Sequence, residues 1–298
     1  MYIAETHTEA LTTVFKIEKL IAEGKTKFQT YQIGEVKTFG KTLFLDTKTQ
    51  SSIIDEHIYH ECLTQPALVL HPNPKKVAVC GGGEGATLRD ALKHSTVEKA
   101  YMIDIDEELV AAAKVHLPEW HQGSFTDKRT TLLHQDARKW VEDQKGQNID
   151  VILHDLQDPL EGGPAVYLFT KEFYQAAFDA MSEEGTFCMQ AGSVGFSHPE
   201  CVAACFKTLK AVFPVVRMVT CPVAPYMGQW GFIVASKKHD PMELSPEEIG
   251  KRFAARGVKT RYYTPRTHQA LYNIPEHMMN AINKAEVITD TKPFLWNG

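Results

Sequence analysis

Apolar and polar positions along the chain follow two rhythms. From Phe28 to Ile54 the run FQTYQIGEVKTFGKTLFLDTKTQSSII alternates and is punctuated by Gly34, Gly40 and Asp46. A period of two with turn residues at that spacing predicts a short antiparallel meander. The next stretch, DEHIYHECLTQPALVL, sets Ile58, Cys62, Leu63 and Leu68 roughly a turn apart, which predicts a helix. HPNPKK then breaks the pattern.

From Lys76 onward strand-like and helix-like segments take turns. VAVC, AYMIDID, TTLLHQD and DVILHD read as strands, and TLRDALKH, EELVAAAKVHL and ARKWVEDQ as helices between them. A longer loop leads to helical TKEFYQAAFDAM, and GTFCMQAG and VVRMVTCPV are strands flanking helical CVAACFKTLKAVF. Such alternation predicts an α/β fold, a Rossmann-like doubly wound parallel sheet. The expected organisation is a small N-terminal antiparallel β-domain at residues 1–65 and a Rossmann-like catalytic domain at 66–298.

Composition narrows the partners. The 298 residues are 43% hydrophobic and 23% charged, with a formal net charge of -5. A mildly acidic chain is a poor match for nucleic acid or anionic membrane, and suits cationic ligands better. The start, MYIAETHTEALTTVF, lacks the basic and apolar regions of a secretory signal, and no run of 18 apolar residues occurs. The 6 cysteines form no C-x-x-C pair, and Cys80, Cys188 and Cys221 lie in apolar runs. Buried free thiols point to a reducing compartment, so a cytoplasmic location is expected.

In an open parallel sheet, ligands bind beyond the carboxyl ends of the strands. The first such strand ends in Gly81-Gly82-Gly83-Glu84-Gly85, where glycine lets backbone approach a nucleoside closely. The second ends in Asp104, placed for ribose hydroxyls; the third in Asp136; the fourth in Asp155, with Asp158 three residues on. Some of these acids can be helix N-caps. Glu84, Asp104, Asp136, Asp155 and Asp158 together at one edge point instead to a site. GGGEG is not G-x-G-x-x-G, and Glu84 stands where a pyrophosphate would need to approach. An anion there opposes a dinucleotide and favours an adenosyl group attached to a cation.

The run VAVCGGGEGATLRDALKHSTVEKAYMIDIDEELV resembles the polyamine aminopropyltransferases, the spermidine, spermine and thermospermine synthases. So do HQDA, HDLQDP, DEHIYHE and LFLD-TKTQ, and the likeness runs from about residue 14 to 290. It implies a methyltransferase-like sheet, decarboxylated S-adenosylmethionine as cosubstrate, no further cofactor, polyamine substrates, and a homodimer or homotetramer joined through the N-terminal β-domains. Asp104 would hold the ribose hydroxyls, and Asp136 with the Ala137 backbone the adenine amino group. Glu84 would bind the aminopropyl ammonium; spermidine synthases usually carry Asp there. Gln29, His60, Gly81, Gly82 and Gly83 match cosubstrate-contacting positions. Asp155 matches the catalytic acid-base residue, beside Tyr59. Asp158, Gln190, Tyr226 and Trp230 would line the acceptor channel.

The loop Asp155-Leu156-Gln157-Asp158-Pro159-Leu160-Glu161-Gly162-Gly163-Pro164 resembles thermospermine synthases, as does Gln190-Ala191-Gly192. Spermidine synthases have a shorter loop without the acid at Glu161. AEGKT and PEWHQGSF resemble bacterial and archaeal enzymes that accept agmatine or several triamines. The extra acid and the small Ala191 and Gly192 suit a longer amine, so spermidine is the expected acceptor and thermospermine the product, with putrescine or agmatine as alternatives. An S-adenosylmethionine-dependent N-methyltransferase and a non-catalytic polyamine binder are the other classes open. The order H-x-x-H-E around Tyr59 is not the H-E-x-x-H of a zinc site, so no metal is expected.

Overall fold

A computed structural model describes residues 1–159, 162–195 and 199–295. Five strands form the N-terminal sheet, β1 (Tyr2–Thr8), β2 (Leu11–Lys25), β3 (Thr30–Val36), β4 (Gly40–Leu45) and β5 (Lys48–Ser52), hydrogen-bonded in that order. All its pairings are antiparallel. The meander expected from Phe28 thus begins at Tyr2. The long β2 shows alternation poorly because its pairing shifts register between Ile17 and Lys19 and again between Leu20 and Ala22.

Helix α1 (Glu56–Leu70) follows, and then the alternating region. Its strands are β6 (Lys76–Gly81), β7 (Lys99–Ile103), β8 (Thr130–Leu133), β9 (Ile149–Asp155), β10 (Met181–Ser193), β11 (Val215–Val223) and β12 (Gly228–Ser236). The longer helices are α2 (Ala86–Leu92), α3 (Glu107–His116), α4 (Pro118–His121), α5 (Ala137–Asp143), α6 (Lys171–Ala180), α7 (Glu200–Lys210), α8 (Pro246–Arg256), α9 (His268–Leu271) and α10 (Glu276–Lys284). The strand order is β11-β12-β10-β9-β6-β7-β8. Strands β8, β7, β6, β9 and β10 run parallel, whereas β12 is antiparallel to both β10 and β11. The Rossmann-like expectation stands, with the sheet mixed rather than wholly parallel. The sequence reading did not include β12.

Central strands are buried on both faces, so VAVC and VILH read as unbroken apolar runs. Ala78, Cys80, Ile152, Phe187 and Met189 pack with α5, α6, α7 and α10 on one face. Val77, Val79, Val151, Leu153 and Cys188 pack with α1, α2 and α8 on the other. Helix α1, grouped by sequence with residues 1–65, packs on the seven-stranded sheet and α2. The N-terminal sheet joins this body through Leu43 and Leu45 of β4, set against Leu109, Ala113, Leu117 and Trp120. All 6 cysteines are free and buried.

Strand direction places the site. From β6 the chain moves outward to β7 and β8, then returns past β6 to β9 and β10. The carboxyl ends of β6 and β9 flank this reversal, and their register pairs Gly81 with Asp155.

Candidate active site at the carboxyl edge of the sheet

Two adjoining cavities open at this edge, of about 360 Å³ and about 260 Å³. The larger is lined by Gln29, Tyr59, His60, Gly81, Gly82, Gly83, Glu84, Asp104, Asp136, Ala137, Asp155 and Asp158. The smaller is lined by Tyr59, Asp158, Gln190, Tyr226 and Trp230, with Glu5, His7 and Lys48 from the N-terminal sheet. Tyr59, Asp158 and Tyr226 border both. All the sequence-selected site residues therefore come together except Glu161, which lies outside the described residues.

The glycine turn is required by the closeness of β9. Gly81 has φ +81°, and a Cβ there would stand 2.3 Å from the Asp155 carbonyl oxygen. At Gly82, φ is +74° and a Cβ would lie 3.1 Å from Asp155 Oδ2. Any side chain would thus be strained and would push the Asp155 carboxylate away. The Gly82 N–H donates to the Asp155 carbonyl at 2.9 Å, closing the two strand ends on each other.

Asp155 ends β9 half-buried. Tyr59 donates its hydroxyl to Oδ1 at 2.9 Å, and Thr87 donates to Oδ2 at 2.5 Å. Burial raises the affinity of Asp155 for a proton, opposed by the His60 charge and the Thr87 and Tyr59 hydrogen bonds, while Glu84 adds to the rise. A carboxylate that holds protons better than usual, yet is fixed by two donors, can act as a general base. Tyr59 keeps its proton, because burial and the neighbouring Asp155 push its pKa well above the ordinary value.

Asp104 follows β7 and accepts the Asp106 N–H at 2.8 Å. Burial pushes its pKa up to about 6, offset by that hydrogen bond and reinforced by the charges of Asp106 and Asp155. Asp136 accepts from Arg138 N at 2.7 Å and Lys139 N at 3.3 Å, capping α5 while lining the cavity. Cap and site are thus compatible in one carboxylate. Both oxygens of Glu84 have partners, His60 Nε2 at 2.8 Å and the Ser51 hydroxyl at 2.7 Å.

In the smaller chamber, burial raises the proton affinity of Asp158, which accepts from Gln190 at 3.4 Å. Trp230 donates its indole N–H to Gln190 Oε1 at 3.3 Å and packs on Tyr226 with ring centroids 4.5 Å apart. Trp230 is therefore a wall of the chamber rather than core. The Tyr226 hydroxyl is tied to the Gln50 carbonyl. Glu5 is buried, and its Oε2 accepts the Thr49 N–H and hydroxyl at 3.1 and 2.7 Å. Lys48 donates to the Thr6 carbonyl.

Sequence reasoning missed Thr87, Ser51, Glu5, Asp106 and Gln157. Asp106 caps α3 through Leu109 N and also accepts from Thr26 and Gln29, at 2.7 and 2.8 Å. Its signal was an acid directly before EELV, a helix-start pattern. Ser51 and Glu5 gave no signal, since only strand pairing brings them here.

The sheet order, the glycine turn and the acids gathered at or just beyond the ends of β6, β7, β8 and β9 form one acidic site of the kind expected for an adenosyl group beside a cation. Comparison with known proteins agrees. Residues 56–245 match the family model described as the spermine/spermidine synthase domain, and residues 1–52 that of the spermidine synthase tetramerisation domain. The chain belongs to the spermine/spermidine synthase family, and it is a polyamine aminopropyltransferase. Polyamine aminopropyltransferase 2 of Hyperthermus butylicus is 42% identical over 98% of this chain and 96% of its own length. The polyamine aminopropyltransferase of Caldicellulosiruptor saccharolyticus is 40% identical over 95% and 98%. A spermidine synthase crystallised with the transition-state analogue AdoDATO superposes with a TM-score of 0.89 at 32% identity, covering 95% of each chain. The Thermotoga maritima spermidine synthase gives 0.87 at 31%, covering 95% of this chain and 94% of its own.

Proposed function

We propose that the protein transfers the aminopropyl group of decarboxylated S-adenosylmethionine to spermidine, giving thermospermine and methylthioadenosine. The observation that carries this reading is the place of Asp155, which lines the larger cavity bonded to Thr87 and to Tyr59, the residue that borders both cavities. The larger cavity takes the nucleoside, with Asp104 on the ribose, Asp136 and the Ala137 backbone on the adenine, Gln29 beside them, and Glu84 on the aminopropyl ammonium. The smaller chamber takes the amine.

The reaction is a displacement. An alkylamine has a pKa of about 10 and arrives protonated. Asp155 accepts that proton, and Tyr59 orients the nitrogen. Its lone pair then forms the new C–N bond at the methylene next to sulfur while the C–S bond breaks, and the electron pair leaves on sulfur as a neutral thioether. The leaving group needs no acid. Alignment of the two reactants supplies much of the remainder, on the order of 7–11 kcal/mol when they are well placed.

The acceptor follows from the chamber. Asp158 and Glu5 offer two carboxylates beyond Asp155, enough for the two cations left on a triamine once one nitrogen attacks. A diamine leaves one carboxylate unused. Tyr226 and Trp230 suit the methylenes between the charges. Choice of thermospermine over its isomer spermine rests on the D-L-x-D-P-x-E-G-G-P loop. The same sheet that carries Glu5 exposes Tyr2, Leu11 and Val14, which supports a homodimer or homotetramer through this sheet. Among the described residues no helix is long and apolar enough to cross a membrane.

The test is kcat/KM for spermidine, norspermidine, putrescine and agmatine with decarboxylated S-adenosylmethionine, with chromatographic separation of thermospermine from spermine. Spermidine is expected to lead, and Glu5→Gln to lower its kcat/KM more than that of putrescine. A tenfold preference for putrescine would make the enzyme a spermidine synthase.

A further inference from the structure

Glu84 is held by a closed circuit of hydrogen bonds. His60 Nε2 is 2.8 Å from Glu84 Oε1, and His60 Nδ1 is 3.0 Å from Glu56 Oε2. Arg89 donates to Glu56 Oε2 at 2.9 Å and to the Trp120 carbonyl at 2.8 Å. The Trp120 indole N–H donates to the Ser51 hydroxyl at 2.9 Å, and that hydroxyl meets Glu84 Oε2 at 2.7 Å. Six side chains and one carbonyl thus return to their starting point, with β5, α1, α2 and α4 all contributing.

The direction of each bond is fixed. An indole N–H can only donate, so it occupies a lone pair on Ser51 and the hydroxyl proton goes to Glu84. Arginine can only donate, so Glu56 accepts. His60 Nε2 faces the Glu84 carboxylate, while its Nδ1 reaches the Glu56 carbonyl at 2.6 Å as well as Glu56 Oε2. Oxygens on both sides accept, so both ring nitrogens must carry a proton to serve them. Burial alone would depress its pKa, but its bonds to Glu56 and Glu84 override this and raise it to about 10. Glu56 falls to about 2, as the His60 and Arg89 contacts outweigh its burial. The exposures are low, with His60 at 1% and Glu56 at 4% of side-chain surface.

We infer that Ser51 and Glu56, neither of which lines the cavity, are positioning residues for the charged end of the cosubstrate. They act through Glu84, Ser51 directly and Glu56 by way of His60. A carboxylate has about four lone-pair sites, of which the circuit uses two. Glu84 itself lines the larger cavity, and its carboxylate cannot turn without breaking a bond on both sides. A donor ammonium therefore meets a preorganised acceptor. The inference rests on the reading of Glu84 as the ammonium site.

Methylthioadenosine keeps the nucleoside and lacks the aminopropyl ammonium, so it separates positioning from general damage. Calorimetry on the full chain would compare its Kd with that of decarboxylated S-adenosylmethionine in wild type, Glu84→Gln, Ser51→Ala, Ser51→Thr, Glu56→Gln and Trp120→Phe. Glu84→Gln, Ser51→Ala and Glu56→Gln should weaken the charged ligand about tenfold, the scale of a lost hydrogen bond to a charged group, and leave methylthioadenosine within about twofold. Ser51→Thr should bind both as wild type does. Trp120→Phe removes the indole donor together with some buried ring volume, and tests the circuit should Glu56→Gln not fold; a smaller selective loss is expected, the volume change acting on both ligands alike. If Glu84→Gln shows no selectivity, the ammonium reading fails. If Glu84→Gln is selective while Ser51→Ala and Trp120→Phe bind both ligands normally, or lose both equally, the positioning role is overturned.

Discussion

The side-chain amide of Gln157 donates to Oε1 of Gln29 across 2.6 Å, tying the loop after β9 to the turn between β2 and β3. Gln29 in turn donates to Asp106 at the start of α3 at 2.8 Å. The residue after Gln157 is Asp158, an acid of the amine chamber. The subsites proposed for nucleoside and amine are thus joined by two amides. Gln157→Ala should raise the KM of the amine by about three- to tenfold, the scale of one buried hydrogen bond, with a smaller change for the nucleoside. Steady-state kinetics with each substrate varied in turn checks this; equal changes in both would remove the coupling.

Asp155→Asn keeps size and one accepting oxygen but removes the base. Turnover should fall by a factor of about 100 or more, since general-base contributions run to 10²–10⁴. Methylthioadenosine should bind as before. Wild-type activity should rise with pH as Asp155, whose proton affinity burial increases, ionises and the amine loses its proton. An Asn variant with unchanged turnover would exclude Asp155 as the base.

Nucleoside affinity carries its own pH signature. Burial raises Asp104 to about 6, so its carboxylate is lost in mildly acidic solution where ordinary aspartates remain ionised. Methylthioadenosine has no aliphatic amine to confuse the measurement. Its Kd should rise as pH falls from 7 to 5 in the wild type, and this dependence should flatten in Asp104→Asn.

His60 makes stability depend on pH at the alkaline end. Its folded pKa of about 10 lies above the ordinary 6.5. The stabilisation is therefore complete below 6.5 and is lost as pH rises through 10. The difference in melting temperature between wild type and His60→Gln should shrink steadily across that window. A difference constant from pH 6 to 10 would mean that His60 is neutral in the folded protein.

Much of the site could be read from the chain because an acid stands at, or within three residues after, the carboxyl ends of four strands of the parallel sheet, β6, β7, β8 and β9. Asp104, Asp136 and Asp155 each announce themselves by position alone, and Gly81 to Gly83 by composition. Those signals are local. Glu5 and Ser51 are not local, since their approach depends on pairing between β1, β2, β4 and β5 across dozens of residues. The opening strands were hidden by register shifts and by exposure of much of β2, which removes the apolar alternation. In β12 the buried run GFIVAS has no alternation to display, and nothing in it states that it runs against its neighbours. Direction is a property of topology, and a single strand does not encode it.

The chamber proposed for the amine is a seam. Asp158, Gln190 and Trp230 come from the seven-stranded sheet and its loops, while Glu5, His7 and Lys48 come from the five-stranded one. A new acceptor preference can therefore arise by exchanging or drifting the small sheet, with the residues that perform the displacement left untouched. The tight turn at Gly81 and Gly82 has no such freedom. In an evolving lineage, or in a laboratory library, the first eight residues and Lys48 at the start of β5 are the ground on which substrate range can shift, while the chemistry is inherited whole.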